Sequence, residues 1–590
     1  MTGLDWSIVI LYFILAGGIG VALARRGGRS VTDYFVGGRS LPWWLAGTSM
    51  VATTFAADTP LAVTELVVQH GVAGNWLWWN MVMSGMLTVF FYARLWRRAG
   101  VLTDVEFTEL RYGGKPAAIL RGFRAGYLAL PINLIIMGWV NLAMVEITVV
   151  ALDIPRFSAL FICFGLAATY SVLAGLWGVV VTDLFQFMLA FGGAVILAVF
   201  AVNAVGGISG LEAGVAEVYG SSEAALSLLP MEGAMWMPAI TFAVYLGMNW
   251  WASWYPGAEP GGGGYVAQRI FAARSERDGV LATLWFNVAH YAVRPWPWIL
   301  VALASTILYT DVDNPRQGYI LAIMDLLPAG LTGLLIAGFA AAYMSTISTQ
   351  LNWGASYLVN DIYARFLRPE AGQKTLVRIS RLATVFLMVA SLIVTSAMDS
   401  IEGAWRFLLA IGAGTGLVLI LRWYWWRINA WSEISAMVAS FCVSVYLWFG
   451  AGLDPDEPAQ WAMIMIATVA SSTFVWIVVT YLTSPEKDAT LDRFYRKVRP
   501  GGVGWYAVSG RLGYGREGMD GGALNWTNWV AGVTAVYTTL FGTGKLIFGD
   551  LVEAGIFFTL AVISFAWIAR NLSRMPRDRV LSEGTAQPPS

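Results

Sequence analysis

Residues 250–269 read WWASWYPGAEPGGGGYVAQR, in which a tryptophan-rich apolar run gives way to two prolines around a glutamate, then four consecutive glycines, then apolar residues again before Arg269. The stretch 236–277 is too long for one membrane crossing, and Pro256, Pro260 and the glycines 261–264 break any helix that enters it. Two readings stand open. In one, residues 236–255 are the whole span and the glycines form a cytoplasmic linker. In the other, the helix is interrupted inside the membrane, which fits Glu259 among apolar neighbours and the resumption at Tyr265-Val266-Ala267.

The remainder of the chain makes the second reading worth pursuing. Of 590 residues, 57% are hydrophobic and only 13% charged, and 29 are tryptophan, where a soluble domain carries roughly 25% charged residues. Apolar stretches of about 20 residues, enough to cross a ~30 Å hydrocarbon core as helices, recur from Trp6 to Ala569 with short polar joints. The expected fold class is therefore an all-α polytopic membrane protein embedded in a lipid bilayer. No soluble domain of ordinary size is left over, which excludes a fused kinase, nuclease or large sensor, and no nucleic-acid partner is expected. The first apolar run ends in Arg25-Arg26 without a small-residue cleavage site and reads as a span, not a signal peptide. Cys163 and Cys442 both lie in apolar runs and only two histidines are present, so neither a disulfide framework nor a His-rich metal centre is expected.

Positive charge orders the spans. With the first span running outside to inside, basic clusters fall on alternate joints: Arg25, Arg26, Arg29 and Arg39; Arg94, Arg97 and Arg98; Arg269, Arg274 and Arg277; Arg365, Arg368 and Lys374; Arg422 and Arg427; Arg493, Arg496 and Lys497. The long joint at 201–235 instead carries Glu212, Glu217, Glu223 and Glu232 with no lysine or arginine. The exception is a joint expected inside at 171–178, which has no basic residue. This pattern predicts about 15 spans, with the N-terminus outside and the C-terminus cytoplasmic.

Helices broken near the bilayer midplane are where membrane transporters hold ions and solutes, because free carbonyls and helix ends there are satisfied by the cargo. A second break is readable at Ala52-Thr53-Thr54-Phe55-Ala56-Ala57-Asp58-Thr59-Pro60, inside the apolar run 41–70. An aspartate at mid-membrane costs about 2.5–3.5 kcal/mol on insertion scales, so it implies a partner. In the run 331–362, Ala342, Ser345 and Thr346 fall on one helix face, at i, i+3 and i+4. Their hydroxyls either bond the carbonyl one turn back or, with carbonyl oxygens, hold a monovalent hard cation.

Several of these stretches, in order, resemble the solute:sodium symporter family. The residues are Gly37-Gly38-Arg39-Ser40-Leu41-Pro42-Trp43-Trp44; Gly175-Leu176-Trp177 with Thr182-Asp183 and Gln186; Tyr265 with Gln268-Arg269; and Ala342, Met344, Ser345 and Thr346 followed by Asn352 and Asp361-Ile362-Tyr363. The resemblance implies a leucine-transporter-type fold, a 5+5 inverted repeat with one extra N-terminal helix and about four additional C-terminal helices. The expected divisions are an extra helix and loop at 1–41, repeats at 42–206 and 207–427, two further spans at 428–484, a cytoplasmic linker at 485–524, and two last spans with a tail at 525–590.

It also implies a sodium site made by the backbone carbonyls of Ala52, Phe55 and Ala342 and the hydroxyls of Ser345 and Thr346. Asp183 would line the ion's exit and Tyr265 would gate the solute. Asp58, Thr59, Glu259, Gly263 and Tyr265 are the solute-site candidates. The function implied is sodium-coupled import of a small polar solute, a sugar, polyol or amino compound, across a bacterial plasma membrane. No nucleophile with its base and no phosphate loop point to an enzyme. A sensor or channel built on a transporter fold is the alternative. Arg294, near His290, reads as a snorkelling or paired arginine, and oligomeric state leaves no signal in the sequence.

Overall fold

The computed structural model describes residues 1–27, 30–398, 404–405, 408 and 412–574. Among them every regular element is helical, apart from an isolated bridge between Leu41 and Ala273. Among the described residues nine helices are long and apolar enough to cross a bilayer, or ten if one bent pair counts as a span. Of the other expected crossings, the first is the continuous helix Gly3–Gly27, and others are assembled from short pieces, as at Trp76–Trp79, Val82–Leu87 and Ala93–Ala99, or fall partly outside the described residues near 399–411.

The bent pair is the first predicted break. Helix α1, Trp43–Thr54, begins after Pro42, and Asp278 accepts a hydrogen bond from Trp43 N (3.0 Å). It ends where Phe55 leaves helical geometry, at φ −89° and ψ 62°. Helix α2, Asp58–His70, then starts at an angle of 58° to it. Pro60 is tolerated because it lies in the first turn of α2, where backbone N–H groups have no intrahelical acceptor. Asp58 opens α2, where the helix dipole favours a carboxylate.

One expected joint is absent. The backbone is helical without interruption through α3, Arg156–Ala204, 49 residues, so the turn expected at 171–178 does not occur. That stretch has no proline, and its two glycines are separated, each weakening a helix by only about 1 kcal/mol.

The opening stretch is an interrupted helix within the protein. Helix ends at Ala252 and resumes as α4, Gly264–Ala272, and residues 257–273 are all buried. Its freed carbonyls are satisfied by side chains of the neighbouring helical pieces: Ser84 donates to Ala258 O (2.9 Å) and Trp96 Nε1 to Gly261 O (2.9 Å). Unwound backbone at membrane depth requires such partners, and a solvated linker would not have them. Against these breaks pack α5, Glu276–Leu308, and α6, Leu331–Leu367, whose apolar window is 89% buried.

The stretch 485–524 carries helices Asp488–Val498 and Tyr506–Arg511 and packs on the bundle, with Phe494 against Trp505 and Trp423. The helix Gly522–Ile547 also lies on the bundle, where Trp296 Nε1 donates to Leu540 O (2.7 Å).

Candidate ion and solute sites

Where α1 ends, α6 meets it. Thr346 Oγ1 donates to Thr53 O (2.8 Å) and lies 3.1 Å from Ala342 O. Ala52 O accepts from Phe55 N (3.1 Å) at the helix end. The five residues expected at the ion thus belong to two elements that touch, Ala52 and Phe55 at the uncoiling end of α1 and Ala342, Ser345 and Thr346 on one face of α6. All are buried, and the set contains oxygens of carbonyl and hydroxyl type only.

Asp183 on α3 is closer to this group than an exit-path residue need be. Its Oδ1 accepts from Ser345 Oγ (2.7 Å) and its Oδ2 from Ser49 Oγ (2.5 Å). Arg269 on α4 lies 3.9 Å from Asp183 Oδ2 and donates to Thr349 Oγ1 (2.7 Å) and Gln268 Oε1 (2.8 Å). Gln268 in turn donates to Asn352 Oδ1 (2.8 Å). Asp183, Gln268, Arg269, Ser345 and Asn352, drawn from separate stretches of the sequence, therefore form one buried network. A fully buried carboxylate survives only with such compensation.

Beside Thr346 lies a cavity of about 70 Å³, bounded by Thr53, Thr54, Asp58, Thr59, Tyr265 and Gln350, with Trp78, Trp139, Tyr255 and Trp405 as aromatic walls. It shares Asp58, Trp78, Tyr255 and Trp405 with a larger vestibule of about 520 Å³, whose rim includes Gln69, Met235 and Asp456. Glu65 and Arg316 pair across that vestibule at 2.7 Å. On the opposite side Asp183 and Arg269 are fully buried, so the cavity opens toward the joint at 201–235 and is shut toward Arg269.

Three of the five solute candidates, Asp58, Thr59 and Tyr265, line this cavity. Glu259 and Gly263 do not, because the unwound segment turns them toward Asp104: an added Cβ at Gly263 would lie 3.4 Å from Asp104 Oδ2 and 3.3 Å from Glu259 Cβ. Gly263 has φ −177°, extended backbone open to any residue. The left-handed positions are Gly257, Gly261, Gly262 and Gly264.

Arg294 is the residue that the sequence underrated. It does not snorkel: it is fully buried on α5, stacked 5.1 Å from the Trp298 ring and 5.8 Å from that of Phe55. It donates to Val51 O (3.3 Å) and to His290 Nδ1. His290 and Arg294 both line the cavity.

Two interrupted helices beside a buried cluster of carbonyl and hydroxyl oxygens and a one-sided cavity are an arrangement found in secondary transporters. Comparison with known proteins gives the family. The model for the Sodium:solute symporter family matches residues 34–440, and this chain belongs to that family. It is 25% identical to a sodium/glucose cotransporter of Vibrio parahaemolyticus over 472 residues, 76% of this chain and 85% of that one. It is 23% identical to sodium/glucose cotransporter 1 of Oryctolagus cuniculus, covering 84% of this chain and 81% of that one. In structure it is similar to a Na+-coupled sialic acid symporter in a substrate-bound outward-open state, with TM-score 0.67, 19% identity, and coverage of 82% of this chain and 99% of the other. A nucleobase-cation-symport-1 family transporter gives TM-score 0.51 at 14% identity, covering 80% of this chain and 99% of that one. At those identities the structures speak to fold, which is the leucine-transporter type.

Proposed function

We propose that this protein is a symporter that uses an inward sodium gradient to import a small polar solute, a sugar, polyol or amino compound, by alternating access across a bacterial plasma membrane. The joint at 201–235, with four glutamates and neither lysine nor arginine, is placed outside, so the vestibule that opens beside it faces outward. The observation that carries the reading is the contact of Thr346 with the open end of α1 at the cavity wall. Ion and solute then share one boundary.

Sodium held by the carbonyls of Ala52, Phe55 and Ala342 and the hydroxyls of Ser345 and Thr346 ties α1 to α6. Ser345 donates its hydroxyl hydrogen bond to Asp183, which leaves the oxygen lone pairs available to a cation and makes them more basic. A cation bound there favours the outward-facing arrangement to the extent that it binds that arrangement more tightly. Asp183, fixed between Ser49 and Ser345, receives the ion as the helices part, and Arg269 compensates the carboxylate once the ion has gone. Tyr265 closes the inner end of the solute cavity.

Purified protein in liposomes with an inward sodium gradient tests this. Solute accumulation above equilibrium that collapses when the gradient is dissipated is expected. Solute entry at the same rate with and without the gradient would point to a channel or sensor instead.

A further inference from the structure

The solute cavity contains two charges of opposite sign that do not meet. Asp58 is 3% exposed and its Oδ1 has no hydrogen-bond partner. Arg294 is 0% exposed. Among the described residues they form no ion pair with each other, although both line the same cavity. The other titratable groups on its wall are Tyr255, Tyr265 and His290. Each charge is removed from water, and a desolvated charge without an ionic partner is strongly unfavourable. The cavity also holds a second unpartnered acceptor, Gln350 Oε1.

The two charges are separated in depth. Arg294 touches the small cavity alone, whereas Asp58 touches both the cavity and the vestibule and so stands at the neck between them. We propose that the solute of this symporter is a small zwitterion, its carboxylate against Arg294 in the depth of the cavity and its ammonium against Asp58 at the neck. This rests on the symport reading above. Gln350 Oε1, which like Arg294 touches the small cavity alone, offers the solute a further acceptor.

Alternative cargoes fit less well. A simple cation is repelled by Arg294 and a simple anion by Asp58. A neutral polyol bonds to both groups but leaves two buried charges without ionic partners.

The test uses full-length protein in liposomes with L-alanine, L-alaninol, L-lactate and D-glucose. These keep both charges, only the cation, only the anion, and neither. Binding is read by thermal stabilisation with sodium present, and uptake is read separately under the sodium gradient. L-alanine is expected to stabilise the protein and accumulate, at concentrations at least tenfold below those needed for the other three. Asp58→Asn should weaken L-alanine at least tenfold while leaving L-lactate unchanged or improved, a reversal that general misfolding cannot produce. Arg294→Gln should shift preference toward L-alaninol. A response to D-glucose without one to L-alanine overturns the proposal, as does silence to all four compounds. So does an Asp58→Asn protein that weakens L-alanine and L-lactate alike. Stabilisation by L-alanine with sodium-independent flux would leave the zwitterion site standing and defeat the symport reading alone.

Discussion

The two interrupted helices solve one problem in different ways. The first break takes only Phe55, Ala56 and Ala57, uses no glycine, and bends the chain by 58° between α1 and α2. Its carbonyls meet groups with functional chemistry, Thr346 at Thr53 O and Arg294 at Val51 O. The second break runs from Ser253 to Gly263, relies on glycines at positive φ, and has its carbonyls occupied by Ser84 and Trp96. Both carry a buried carboxylate, yet Asp58 faces the cavity and Glu259 lies beside Asp104. The short break is therefore the one that borders the cavity, and the long one is a buried strap whose carbonyls are occupied by the protein itself, contributing Tyr255 to the cavity.

The largest effect should come from the strap's backbone. Gly262 has φ 78°, and a Cβ there would lie 2.9 Å from both Thr88 Cγ2 and Trp96 Nε1. Gly262→Val forces a β-branched residue into left-handed backbone and overfills that space, costing about 2–6 kcal/mol when the two penalties are summed. Uptake should fall to background, and the melting temperature should drop. Gly263→Ala, at extended backbone, should keep at least half of wild-type uptake. Equal loss in both variants would mean that the strap tolerates no side chain anywhere and that its left-handed positions are not special.

That contrast also marks how far the sequence could be read. The break itself was legible because prolines and consecutive glycines leave no helical alternative. Which way Glu259 points was not, since without a helical period there is no face to assign. The hydroxyls of α6 were legible for the opposite reason: Ala342, Ser345 and Thr346 sit at helical spacing, so their shared face follows from sequence. Arg294 was ambiguous, because one arginine in an apolar run looks the same whether it reaches the interface or stacks on Trp298. The network joining Asp183 to Ser345 depends on the crossing of α3, α4 and α6, which no local pattern encodes. The unbroken course of α3 was missed because span counting demanded a joint at 171–178 where no residue there breaks a helix.

A middle-sized effect is expected at the boundary between α1 and α6. Replacing both Ser345 and Thr346 with alanine removes the two hydroxyls proposed to hold the cation and leaves Asp183 and Thr53 O each short of a donor. Alanine is favourable in a helix, so the protein should remain folded, with a loss of about 1 kcal/mol for each hydrogen bond removed. The sodium concentration for half-maximal uptake should rise at least tenfold, which corresponds to about 1.4 kcal/mol or more of ion binding. An unchanged sodium dependence would remove the ion from the first break and with it the functional half of the contrast.

The smallest effect separates the two carboxylates. Glu259 Oε2 is buried without a hydrogen-bond partner, and Glu259 and Asp104 flank Gly263. Two neighbouring carboxylates out of water repel each other, so removing one charge relieves a cost and deletes no ion pair. Glu259→Gln keeps the shape of the side chain and should leave the uptake KM within about twofold of wild type, since a change below roughly 0.4 kcal/mol is what a residue outside the cavity contributes. Its melting temperature should be equal to or above that of wild type. Asp58→Asn differs by the same single charge but should cost at least tenfold in affinity. Should Glu259→Gln abolish uptake while the protein stays folded, the strap would be supplying charge to the transport cycle, and the division between a binding break and a structural break would fail.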